Sequence, residues 1–122
     1  KYKIYIYKMS DKRRVVSISS FATFQQFLRE NPLVIMKAHA TWCGPCKTIQ
    51  PHFEAEFNKL PQSATIVYVD IDKAPTISRK YSIRSVPCMI SFYNGQPYDV
   101  VKGANPEAVT KFFAKIKKHI QV

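Results

Sequence analysis

The sequence predicts an α/β domain, a mixed central sheet of about five strands flanked by four helices in the order β-α-β-α-β-α-β-β-α. Three observations lead there. Short apolar or β-branched runs alternate along the chain with segments whose apolar residues recur at helical spacing. Asn94-Gly95 is the strongest local hairpin signal, so the last two strands run antiparallel, while the earlier ones are joined through helices and run parallel. At 122 residues and 46% hydrophobic content, the chain has room for one core, and it shows no repeat, linker or second domain.

Arg14 to Ile18 is a β-branched run and reads as the first strand. Ser19 or Ser20 can cap a helix that carries Phe24, Phe27 and Leu28 on one face, and Asn31-Pro32 ends it. Leu33 to Ala40 is almost continuously apolar, as a strand covered on both faces should be. A second helix follows Cys43, with Ile49, Phe53, Phe57 and Leu60 as its buried stripe, and Pro51 inside that stripe predicts a kink. Ala64 to Asp72 holds a third, central strand, and Pro75 to Tyr81 a short helix. Cys88 to Tyr93 and Tyr98 to Lys102 form the hairpin, which Gly103 ends. Asn105-Pro106-Glu107 supplies a cap, a proline at the first helical position and an acid in the first turn. The last helix then buries Val109, Phe112, Phe113, Ile116 and Ile120.

Residues 1–13 read as an N-terminal extension, an added edge strand or a leader remnant, ahead of one domain spanning 14–122. No apolar stretch approaches the roughly 18 residues needed to cross a bilayer, so no membrane role is expected. Lysine and arginine number 19 against 8 acidic residues, a formal net charge of +11. Such a surface attracts acidic proteins, whereas nucleic acid is not expected because no nucleic-acid motif accompanies the charge. Three cysteines are too few and too odd for a disulfide framework, and one C-x-x-C pair points to redox or metal chemistry. Their spacing with His39 fits no standard zinc pattern, so no metal is expected.

The chemistry centres on Ala40-Thr41-Trp42-Cys43-Gly44-Pro45-Cys46-Lys47. A thiol between a strand and a helix start meets unpaired N–H groups and the positive end of the helix dipole, both of which favour thiolate. The dipole is worth about 0.3–1 kcal/mol, up to ~2, hence roughly one pH unit. Hydrogen bonds to sulfur and nearby cations must supply any larger effect. Pro45 fixes one φ where its missing N–H costs nothing, and Gly44 keeps the approach to both sulfurs open. One thiolate can attack a partner's disulfide, and the other can resolve the mixed disulfide.

Trp42-Cys43-Gly44-Pro45-Cys46-Lys47 resembles the active site of the thioredoxin family. Several further features agree in position: Pro51, Asp70-Ile71-Asp72, the stretch Tyr81 to Pro87, Asn94-Gly95 and Gly103. The topology is similar to the thioredoxin fold from Arg14 to Ile120. The resemblance implies that Cys43 is the nucleophile and Cys46 the resolving thiol. It further implies a cis Val86-Pro87 bond packed against the sulfurs, and a docking surface formed by Trp42, Gly44, Pro45, Val86, Pro87 and Cys88. By the same resemblance the chain is a monomeric, cytoplasmic protein-disulfide reductase with no bound cofactor. It takes electrons from NADPH through a thioredoxin reductase and passes them to disulfide-containing proteins. A removed targeting leader is a further possibility. Alternatives are an oxidase or isomerase of the same fold, and a basic subunit that recruits partners.

The chain departs from the family pattern at four places. Lys37 stands where the family places a buried aspartate, Tyr68 where a lysine is frequent, His39 at a common tryptophan, and Cys88 after the cis proline in place of threonine. Lys37 and His39 share the strand face toward the second helix. A charged Lys37 would stabilise thiolate, while a neutral Lys37, or His39, could accept the proton of Cys46. Against this stands a lysine that snorkels to solvent or pairs with an acid and does no chemistry. Cys88 is either a small core residue or a third reactive thiol beside the site.

Overall fold

The computed structural model describes residues 15–120 and the backbone of Lys3–Tyr5. Its elements are β1 (Lys3–Tyr5), β2 (Val15–Ser17), α1 (Phe21–Glu30), β3 (Leu33–His39) and α2 (Gly44–Phe57). They continue with β4 (Thr65–Asp70), α3 (Pro75–Lys80), β5 (Cys88–Tyr93), β6 (Gln96–Lys102) and α4 (Pro106–Ile120). The sheet order is β1-β2-β4-β3-β5-β6. Strands β2, β4 and β3 are parallel, and β5 and β6 return antiparallel. Five strands are those expected from the pattern. A sixth, β1, runs antiparallel to β2 at the edge. The expectations for the rest of residues 1–13, and for Arg14, lie outside the described residues.

Local chemistry sets the element ends. The Ser20 hydroxyl accepts from the Thr23 N–H and starts α1, and Asn31 closes it with Nδ2 donating to the Phe27 carbonyl. The Asn105 side chain accepts from the Ala108 N–H at the start of α4. At the β5–β6 turn Asn94 and Gly95 have φ of 51° and 84°, the pair of positive values that a type I′ hairpin requires. β6 begins at Gln96 rather than Tyr98, because this tight turn lets pairing start at once. Helix α2 is continuous through Pro51.

Side-chain alternation along the strands divides the core into two layers. Leu33, Ile35, Ile66 and Met89 pack with Ile49, Phe53 and Phe57 of α2 and Val109, Phe112, Phe113 and Ile116 of α4. On the other face Val34, Met36, Val67 and Ile90 pack with Phe24, Phe27 and Leu28 of α1 and Ile77 of α3. The α2 face of β3 thus reads Leu33, Ile35, Lys37, His39. The third position of an apolar row is a lysine only 2% exposed.

Candidate active site

Cys43 is the residue at which strand geometry ends and helix α2 begins. Its backbone is extended, and its Sγ accepts the N–H of Cys46 at 3.1 Å. That N–H is one of the donors a helix start leaves unpaired, so the sulfur sits where negative charge is favoured. Pro45 lies in the first helical turn, as a proline without an N–H can. The Cys43 and Cys46 sulfurs are bonded to each other, with Cα atoms 5.4 Å apart.

The sulfurs are less open than the sequence suggests. Gly44 and Pro45 are exposed, and a side chain at Gly44 would begin in open space. Cys43 and Cys46, however, are only 2% and 4% exposed. Ala40, Ile71 and Val86 pack around them as an apolar collar. The open approach expected for both sulfurs is therefore corrected to a covered disulfide with an exposed rim. Trp42, 67% exposed, stands on that rim, and its Nε1–H donates to Asp72 Oδ2 at 2.9 Å. The Val86-Pro87 bond is cis, and Val86 packs against the cysteine pair.

Behind Cys46 lies a cavity of about 230 Å³ whose polar walls include Lys37, His39, Gln50, Glu54 and Tyr68. Lys37 Nζ donates to the Cys46 carbonyl at 2.9 Å and to Gln50 Oε1, and it lies 5.4 Å from the centre of the Phe53 ring. Gln50 Nε2 in turn donates to Glu54 Oε2 at 2.7 Å and to the Tyr68 hydroxyl. Sheet register brings Tyr68 beside Lys37. Burial pulls the Lys37 pKa down from 10.5 to about 8, against the Glu54 carboxylate, which raises it. The snorkelling lysine of the sequence reading is thereby corrected. The amine points inward because its strand position faces α2, and it finds acceptors there. His39 is half-buried and edge-on to Tyr68. Burial lowers its pKa, with Asp70 opposing and Lys37 adding to the fall.

Cys88 is not brought to this site. It is 3% exposed on the opposite face of the sheet, packed with Ala38, Ile90 and the α1–α3 layer. Burial pushes its thiol pKa up, against a smaller downward pull from Lys102. A buried thiol held protonated is inert, so the reactive-thiol reading is corrected to a core cysteine. The sequence reading passed over Gln50, Glu54 and the tie between Asp72 and Trp42. A signal for two of them was available, since Cys46, Gln50 and Glu54 recur every four residues along one face of α2.

Comparison with known proteins agrees with this geometry. A family model described as Thioredoxin matches residues 15–117. Thioredoxin-1 of Schizosaccharomyces pombe is 33% identical over 106 residues, covering 87% of this chain and 99% of that protein. The thioredoxin of Malassezia sympodialis is 38% identical over 104 residues, covering 84% and 95%. Among solved structures, oxidised mitochondrial thioredoxin 3 of Saccharomyces cerevisiae aligns with a TM-score of 0.74 at 28% identity, over 81% of this chain and 92% of that one.

Proposed function

This chain belongs to the thioredoxin family, and on that premise we propose how its two cysteines and the lysine behind them divide the work. The chain is a protein dithiol–disulfide oxidoreductase, a protein-disulfide reductase. The oxidase, isomerase and recruitment-subunit alternatives are not favoured by relatives that are themselves thioredoxins.

Cys43 is the nucleophile. Its thiolate attacks one sulfur of a substrate disulfide, a Cys43–substrate bond forms, and the released substrate thiolate takes a proton from solvent. Cys46 then gives its proton to the neutral Lys37 amine, and its thiolate attacks the Cys43 sulfur. The second substrate sulfur leaves as a thiolate and takes a proton from solvent, the ammonium returns its proton to solvent, and the Cys43–Cys46 bond closes. Two electrons pass to the substrate, and its two sulfurs end as thiols. The observation that carries this assignment is the Cys46 N–H donated to Cys43 Sγ at the first turn of α2. Lys37 suits its role because a neutral amine has two N–H groups, matched by the Cys46 carbonyl and Gln50, and keeps a lone pair. Trp42, Gly44, Pro45 and the half-buried Val86 form the rim on which substrate docks, with the buried Pro87 fixing the turn of chain next to Val86.

Trapping tests the assignment. With insulin as substrate, Cys46→Ser should accumulate a mixed disulfide and Cys43→Ser should not; the reverse pattern would exchange the roles. For the lysine, the pH profile of resolution in Lys37→Met should lose its midpoint near the lysine pKa, and an unchanged profile removes Lys37 from the step.

A thioredoxin reductase is the typical electron source of the family. We place NADPH behind it, with no cofactor held by this chain. Exposed Lys111, Lys115 and Lys118 follow one another along α4 and support docking of acidic partners by a monomer. A cytoplasmic location is the reading for the compartment, and fractionation that finds the chain in mitochondria would overturn it. Among the described residues no helix is long and apolar enough to cross a membrane.

A further inference from the structure

We propose that Glu54 and Gln50 are positioning residues for the resolving step, holding the Lys37 amine behind Cys46 and setting the protonation state in which it waits. The inference rests on the role just given to Lys37 and deepens it.

Three residues at four-residue spacing make the device. Cys46, Gln50 and Glu54 lie along one face of α2, and Lys37 enters from β3 between the first two. An ionised carboxylate only accepts hydrogen bonds, so Glu54 fixes which end of the Gln50 amide faces it. Nε2 must turn to Glu54, where it donates at 2.7 Å, and Oε1 is left for the lysine. The Tyr68 hydroxyl takes the second Nε2 proton and completes the fit. Turned the other way, the amide would put its N–H groups against the amine and leave the Lys37 site short of an acceptor.

Charge adds a second effect. Burial drives Lys37 toward the neutral form, and the Glu54 carboxylate pulls it back toward the ammonium. The other groups around the amine are His39 on β3, with Asp70 beside it on β4, Tyr68 on β4, and Cys46 and Lys47 on α2. Glu54 is the carboxylate joined to Lys37 through a continuous hydrogen-bond path. Its charge therefore adjusts the pH at which the amine becomes an acceptor for the Cys46 proton, and Gln50 keeps the amine in place while it does so.

The test is the concentration-independent release of the second thionitrobenzoate when reduced chain meets excess dithiobis-nitrobenzoate, followed from pH 5 to 10. That phase is closure of the Cys43–Cys46 bond. Glu54→Gln keeps a hydrogen-bond acceptor and removes the charge. It should shift the midpoint of the profile down by about half a pH unit, which makes closure at pH 7 up to about three-fold faster. Glu54→Asp, which keeps the charge, should retain the original midpoint. Glu54→Gln should shift nothing in a Lys37→Met background, because the effect travels through the amine. The proposal is overturned if Glu54→Gln superimposes on the parent, or if its shift persists without the lysine. A parent-like profile for Lys37→Met alone instead sinks the base role, so the two failures are told apart.

Discussion

Replacing Lys37 by methionine should change the pH dependence of stability in a way few core substitutions can. The lysine is 2% exposed, and burial lowers its pKa from 10.5 to about 8. The unfolded chain therefore binds this proton more tightly than the folded one. Below about pH 8 both states are protonated, and the full cost of burying the charge falls on the fold. As pH rises from about 8 to 10.5, the folded lysine is already neutral while the unfolded one loses its proton. The cost then fades and stability rises. At about 1.4 kcal/mol per pH unit the cost is about 3 kcal/mol at pH 7, and it shrinks to about 1 kcal/mol at pH 10. Methionine has no charge to bury and does not titrate. It also leaves the Cys46 carbonyl and Gln50 short of a donor, a loss of about 1–3 kcal/mol for each group that stays unpaired, but that loss does not vary with pH. Urea unfolding of the oxidised parent and Lys37→Met at pH 7 and pH 10 isolates the difference. Relative to the parent, the variant should lose about 2–3 kcal/mol of its standing between the two pH values. A stability difference that stays flat would mean that the lysine titrates normally and that the buried-charge argument is wrong.

Other expectations follow from single contacts. Iodoacetamide applied to the native reduced chain should label Cys43, the thiolate at the helix start, and spare the buried thiols Cys46 and Cys88 until denaturant is added, and peptide mass spectrometry locates the label; prompt labelling of Cys88 would refute its core assignment. Asp72→Ala should free the Trp42 ring, and because the chain has one tryptophan, time-resolved anisotropy reports that ring alone. Its fast component should grow, and docking should weaken by a factor of a few, read as a rise in KM for insulin. Gly44→Ala should be tolerated and stabilise the oxidised fold by about 0.4–1 kcal/mol, since Gly44 is helical, has no positive φ and faces open space. A loss of thermal stability would show that the rim has less room than its geometry indicates.

The architecture was legible because each element announced itself locally. Ser20, Pro45, Asn94-Gly95 and Asn105-Pro106 mark ends that depend on neighbours only a few residues away. The cysteine pair was legible for the same reason. What escaped needs partners brought together from distant parts of the chain. Ala40, Ile71 and Val86 close over the sulfurs from three separate segments. Cys88 follows the cis proline in sequence, yet strand alternation turns it to the α1–α3 layer, away from the site. The inward turn of Lys37 depends on Tyr68, delivered by sheet register, and on Gln50 and Glu54, delivered by helix spacing.

That lysine gives the site its particular character. The row it ends is apolar at Leu33 and Ile35, with Met89 beside Lys37 on the neighbouring strand, and the space could be filled by a side chain without charge. The fold instead carries a cost of about 3 kcal/mol at neutral pH. The cost falls on Lys37, whose amine donates to the carbonyl of Cys46. A purely structural lysine would be relieved of its charge by a salt bridge or by reaching solvent. Here Glu54 stays one amide away, and Nζ is held by two neutral acceptors. An amine kept near the boundary between its charged and neutral forms can take up a thiol proton and give it back without a large barrier in either direction. Removing it should therefore separate two quantities that usually fall together in core variants: the pH-dependent cost to stability disappears, and closure of the Cys43–Cys46 bond slows.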